Sequence, residues 1–131
     1  MSALRFAKRS FVALSLIVLA AGAAQAQTAT TPFQPQVGQP GKDVVWVPSP
    51  QALVDRMLDM AKVTPQDFLM DLGSGDGRTV ITAAKRGVTA MGVEYNPDMV
   101  ALSKEAAKRE GVSETATFVQ ADLFKTDLTK A

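Results

Sequence analysis

Asp71-Leu72-Gly73-Ser74-Gly75-Asp76-Gly77 is the stretch on which the reading of this chain turns. It follows Phe68-Leu69-Met70, a short and wholly apolar run of the kind a parallel sheet covers on both faces. It precedes Arg78 to Arg86, where Val80, Ile81, Ala83 and Ala84 fall at helical spacing and Gly87 supplies a stop. A glycine turn between strand and helix is a place where α/β folds meet ligands. Glycine takes conformations that a Cβ forbids and lets a bound group approach the backbone. The spacing discriminates between loop types. A dinucleotide loop, G-x-G-x-x-G, is disfavoured because Arg78 stands where the third glycine should fall, and no G-K-[ST] follows to make a Walker loop. What stands here is G-x-G-x-G, with an acid two residues ahead of the first glycine.

Outward from this loop, helical and strand signals alternate. Upstream, Val44-Val45-Trp46-Val47 is β-prone and is ended by Pro48. Ser49-Pro50 reads as N-cap plus proline at the first helical position, with Leu53, Val54, Met57, Leu58 and Ala61 spaced as one buried face. Thr64-Pro65-Gln66-Asp67 breaks that helix. Downstream, Val88 to Val93 predicts a second strand. Asn96-Pro97 opens a third helix that Gly111 ends, with Met99, Leu102, Ala106 and Ala107 inward. Ala116 to Gln120 predicts a third strand. Strand-helix-strand steps of roughly 20–30 residues suit right-handed parallel crossovers. The expected fold is α/β, a Rossmann-like doubly wound parallel sheet with its site at the carboxyl ends of the strands.

On these motifs the stretch from about Asp43 to Asp127 resembles the front half of a class I, seven-strand S-adenosylmethionine-dependent methyltransferase. The acid-x-G-x-G-x-G loop at Asp71 to Gly77 is similar to the first motif of that superfamily. Glu94, ending the second strand in Gly92-Val93-Glu94-Tyr95-Asn96, matches its second. Asp122, in Phe118-Val119-Gln120-Ala121-Asp122-Leu123, matches its third. More narrowly, Val47-Pro48-Ser49-Pro50 followed by Asp71 to Arg78 resembles small lysine methyltransferases that include modifiers of the ATP synthase c-subunit. The resemblance implies S-adenosyl-L-methionine as cofactor and a strand order beginning 3-2-1. It also implies that the chain stops after the third strand, before the strands that carry acceptor-side residues. The expectation is therefore a truncated domain with an open sheet edge at which another chain could pair. No catalytic residue is named.

The chemistry suits those positions. S-adenosylmethionine has no phosphate and needs no lysine cradle. Asp71 can orient the loop and accept from the ligand's ammonium. Gly73, Ser74, Gly75 and Gly77 form the close-approach turn. The two oxygens of Glu94 suit the adjacent ribose hydroxyls, and Tyr95 can pack beside the adenine. Asp122 can accept from the adenine amino group while the Leu123 amide donates to a ring nitrogen. Blander roles go to other residues: Asp76 and Arg78 cap the helix start, and Ser49 is an N-cap. Trp46 is a core or edge aromatic, and Lys104, Lys108 and Arg109 form a solvated helix face.

Composition bounds the alternatives. The 131 residues hold no cysteine and no histidine, which excludes a cysteine nucleophile, a Ser-His-Asp triad and a Cys/His zinc site. No metal site is expected. A formal net charge of +1 argues for neither nucleic acid nor an anionic membrane. The amino terminus has its own pattern. Arg5, Lys8 and Arg9 precede an apolar run of about 14 residues, Phe11 to Ala24, and then Ala24-Gln25-Ala26. These are the parts of a secretory signal peptide, and the run is shorter than the ~20 residues of a membrane span. Lys8-Arg9-Ser10-Phe11 only loosely resembles the twin-arginine export pattern. Residues 1–26 are expected to be cleaved near Ala26, leaving an exported chain with no stable span. Residues 27–42, rich in Thr, Gln, Pro and Gly, read as a flexible linker, and 43–131 as the methyltransferase-like domain. Three functions follow. The first is a methyltransferase by family, acting on a protein lysine or a small molecule in a complete version, with the present stretch expected to bind cofactor but not to transfer methyl alone. The second is a non-catalytic S-adenosylmethionine-binding or interaction module. The third is a nicotinamide-binding unit.

Overall fold

Three parallel strands carry the fold: β1 (Phe68–Leu72), β2 (Thr89–Glu94) and β3 (Ala116–Gln120), in the spatial order β1-β2-β3. Leu69 sits opposite Ala90 and Ala90 opposite Ala116; one step on, Gly92 lies between Asp71 and Phe118. The computed structural model describes residues 31–131. The signal-peptide reading of residues 1–26, and the linker before residue 31, lie outside the described residues. The α/β class and the 3-2-1 order expected from the motifs are the observed ones.

The helices are α1 (Gln51–Ala61), α2 (Arg78–Lys85) and α3 (Pro97–Arg109), followed by a 3₁₀ turn at Leu123–Lys125. A single cluster joins Val54 and Leu58 of α1, Val80, Ile81, Ala83 and Ala84 of α2, and Val100 and Ala107 of α3. On the sheet it meets Ala90, Ala116 and Phe118. Successive strand residues point to opposite faces, so all three helices share the face that carries Leu69, Ala90 and Phe118. Of the alternate set on the other face, Phe68, Met70 and Met91 are half-buried, Val119 is exposed and Val93, near the strand tip, is buried. The outer edge of β1 has no strand beside it among the described residues.

Local chemistry sets the element ends. The Asn96 side chain accepts from the Asp98 and Met99 amides at 2.9 and 3.3 Å, and Pro97 follows as the first helical residue. The start of α1 corrects the sequence reading. Pro50, not Ser49, is the cap residue, with extended ψ of 142°, and no side chain caps the helix. The Ser49 carbonyl instead accepts from Arg78 Nη1 at 2.7 Å. The inner faces are also narrower than the spacing predicts. Leu53, Met57 and Ala61 are exposed while Val54 and Leu58 are buried. In α3, Leu102 and Ala106 are half-buried, whereas Val100 and Ser103 join Met99 and Ala107 inside. α2 and α3 pack on the sheet and α1 packs on α2, each across one stripe, so positions on the margin of an apolar arc stay partly wet.

Upstream of α1, residues 38–46 form a tight hairpin. Gly38 N donates to the Trp46 carbonyl (2.8 Å), Trp46 N to the Gln39 carbonyl (2.9 Å) and Gly41 N to the Val44 carbonyl (3.0 Å), around a Pro40–Val45 bridge. The β-prone valines thus pair locally with the Pro/Gly-rich stretch before them. No helix among the described residues is long and apolar enough to cross a membrane.

Gly92 is the tightest point of the sheet. A Cβ there would lie 2.5 Å from Ser74 Oγ and 2.7 Å from Phe118 Cδ1. Gly92→Ala is expected to destabilise the fold by about 1–3 kcal/mol through overpacking. Urea unfolding checks this: the midpoint should fall while the m-value stays unchanged.

Candidate functional site

The carboxyl ends of all three strands open onto one cavity of about 360 Å³, within the usual range for small-molecule sites. Its floor and walls include Gly73 after β1, Val93, Glu94, Tyr95 and Asn96 from the β2 end, and Asp122, Leu123 and Phe124 after β3. The hairpin, from Gln39 to Val47, forms the remaining side.

The glycine loop is fastened to β2. Gly73 N and Ser74 N both donate to the Val93 carbonyl, at 2.8 and 3.0 Å. Gly75 N donates to Glu94 Oε2 at 2.9 Å, and Asn96 N donates to Glu94 Oε1 at 2.9 Å. Glu94 therefore ties the loop to the start of α3. The buried Ser103 hydroxyl donates to the Gly75 carbonyl at 3.1 Å. Gly73 and Gly75 serve different ends. Gly73 has φ +85°, and a Cβ on it would meet nothing within 4 Å, so its open side faces the cavity. Gly75 has φ +55° and lies under the Trp46 indole, whose Nε1 would be 2.5 Å from an added Cβ. Gly77 is packed against Phe118 and Ser103.

Of the residues singled out from the sequence, Gly73, Glu94, Tyr95, Asp122 and Leu123 line this one cavity. Asp71, Ser74, Gly75 and Gly77 are not among its lining residues. Ser74 is buried, and its hydroxyl has no hydrogen-bond partner among the described residues. Asp71 carries a carboxyl pushed above the ordinary carboxylate range, first by burial, then by the charges of Glu94 and Asp76. The Thr79 hydroxyl acts the other way. Asp76 is paired with Arg78. Asp122 accepts from the Phe124 amide at 3.0 Å through Oδ1. That bond holds its carboxyl below the usual range, aided by Lys42.

Three residues of the site were not read from sequence as such. Ser103, a polar residue of α3, falls outside the inner face that the apolar spacing predicts, and nothing local marks its bond to Gly75. Trp46 read as a plain aromatic, yet it covers the loop. Lys42 lies on the hairpin tip with its ammonium 3.4 Å from Asp122 Oδ2. No local motif marks it, because its partner is distant in sequence. Among the described residues no cluster of acidic side chains is arranged to hold a metal.

The known proteins that this chain is similar to are methyltransferases, with protein-lysine and RNA enzymes among them. The family described as the ANTKMT methyltransferase domain matches residues 71–131. A protein-lysine N-methyltransferase of Saccharolobus islandicus is 40% identical over 90 residues, covering 67% of this chain and 56% of its own length. The human lysine N-methyltransferase of the ATP synthase C-subunit is 44% identical over 80 residues, covering 61% of this chain and 34% of its own. A crystal structure of an RNA methyltransferase from Salinibacter ruber in complex with S-adenosyl-L-homocysteine is 46% identical. It superposes with a TM-score of 0.63 over 65% of this chain and 56% of that one. The chain thus spans between about a third and just over half the length of these relatives.

The Asp71 environment has a measurable sign. Its folded carboxyl binds a proton more tightly than the unfolded one. Its contribution to stability therefore declines as pH rises from the unfolded value through the raised folded value, and stays low above it. Asp71→Asn is expected to flatten that slope and to raise the Tm of the ligand-free chain at neutral pH. Thermal melts from about pH 4 to pH 8 compare the two proteins directly.

Proposed function

We propose that this chain, by family an S-adenosylmethionine-dependent methyltransferase, holds S-adenosylmethionine in the cavity at its strand tips and serves methyl transfer to a protein lysine. One observation carries the reading: Gly73, Glu94, Tyr95, Asp122 and Leu123, drawn from three strand ends, share one cavity of small-molecule size. The relatives named as lysine methyltransferases support the acceptor class.

The residues fit the cofactor. Gly73 leaves its Cβ position open, as close approach of a ligand to the backbone requires. Each Glu94 oxygen accepts one backbone amide and keeps a lone pair, so a ribose diol can be held without loosening the loop. The Tyr95 ring is exposed at the mouth, beside Asp122, and offers a face to adenine. Asp71, behind the loop and crowded by two other carboxylates, favours the arrival of positive charge. When bound, S-adenosylmethionine supplies a methyl group already activated by the sulfonium. What remains for the protein is to position the acceptor amine and exclude water from it. Acceptor-side groups are not assigned to any residue of this chain. We propose that the basic and apolar amino terminus directs export; sequencing the amino terminus of the protein recovered from cells tests this, with cleavage after Ala26 expected.

Titration calorimetry with S-adenosylmethionine, S-adenosylhomocysteine and NAD tests the cofactor reading. The first two should bind and NAD should not, since Arg78 replaces the dinucleotide glycine. Glu94→Ala should weaken both adenosyl ligands by about tenfold or more, the scale of lost hydrogen bonds to a charged group. Unchanged affinity in that variant would remove the ribose assignment.

A further inference from the structure

The hairpin tip places a cation inside the cavity. Lys42 Nζ lies 3.4 Å from Asp122 Oδ2 and 3.2 Å from Asp43 Oδ2. The same ammonium stands 5.5 Å from the centre of the Tyr95 ring and 5.7 Å from that of Phe124. Two aromatic faces and a carboxylate make a matched cation site. Among the described residues, the Lys42–Asp122 pair is the one ionic or hydrogen-bonded tie between residues 38–46 and the strand tips. Its other attachment there is the packing of Trp46 on Gly75.

Tyr95 and Asp122 are also the residues that the cofactor reading gives to adenine. An adenine ring on Tyr95, with its amino group on Asp122, needs the space and the acceptor that Lys42 now uses. We propose that Lys42 is an internal occupant of the adenine subsite, a latch that holds the 38–46 hairpin shut until the cofactor displaces it. This rests on the cofactor assignment above. Asp43, largely exposed beside it, gives the released ammonium a second partner. A closed form that must open before binding lowers apparent affinity by the fraction of open molecules. A partly exposed ion pair sets the size of that effect at roughly fivefold.

Two measurements on the full chain test the latch. The first is calorimetric titration of the parent and of Lys42→Ala with S-adenosylhomocysteine and with methylthioadenosine. The latter carries the adenosyl group without the charged amino-acid tail. Both ligands should bind Lys42→Ala roughly fivefold more tightly. Equal or weaker binding beside good binding by the parent overturns the latch and leaves the cofactor reading standing; weaker binding would make Lys42 a clamp on the ligand. No binding of either ligand by the parent overturns the cofactor reading, and the latch with it. The second measurement needs no ligand. Trp46 is the single tryptophan of the chain and sits against the loop. Its emission should shift in ligand-free Lys42→Ala, and the Gly38 and Trp46 amides should exchange faster with solvent. An unchanged spectrum together with unchanged exchange would show that Lys42 does not hold the hairpin.

Discussion

The end of β2 carries the site on very few atoms. The Val93 carbonyl accepts two loop amides, and the next residue, Glu94, accepts a third from Gly75 and a fourth from Asn96. The loop, whose glycines have φ between +55° and +85°, has one internal turn bond, from Gly77 N to the Ser74 carbonyl at 2.9 Å, and no ladder to fix the rest. The bonds to Val93 and Glu94 supply the missing restraint, and they do so from the strand beside which a ligand would lie. Ser103 from α3 completes the fastening on the other side of the peptide. The position of β2 in the middle of the sheet matters here, since a central strand is itself held from both edges.

Most of this framework was legible because its determinants are local. Apolar runs, Asn96-Pro97, Gly87 and Gly111 mark element ends within a few residues, and each strand was located to within two residues of where it lies. The cavity-lining set was legible at Gly73, Glu94, Tyr95, Asp122 and Leu123 because a motif repeats a fixed relation between strand end and ligand. What escaped reading is non-local. Ser49 has a cap residue's identity, but Arg78, far along the chain, takes its carbonyl and the helix begins later. Leu53 and Met57 have the right spacing, but only a second layer of structure could bury them. Lys42 carries no pattern at all, since its meaning comes from Asp122.

Two different uses of glycine within one short loop follow from the same residue type. At Gly73 the absent side chain leaves room on the cavity side. At Gly75 it leaves room for an indole on the other side. A substitution scan would find both intolerant, for unrelated reasons, and the backbone geometry separates them. The electrostatics are similarly divided. Asp71 is half-buried with like charges nearby, whereas Asp122 is stabilised by an amide and a lysine. The two carboxylates therefore offer a ligand opposite things: one gains from a new cation, while the other must first give one up.

The hairpin cover comes from residues before α1, while its catch lies after β3. On a growing chain the cover is made early and the catch late, so the two meet only when nearly all of the described sheet has been synthesised. Until then the Lys42 ammonium has no Asp122 carboxylate to meet, and the hairpin is held on that side only by the packing of Trp46 on Gly75. Closure thus waits on the third strand: a molecule stalled before β3 would carry its cover unlatched, and a protease would cut that hairpin more readily than in a molecule that has formed the Lys42–Asp122 pair.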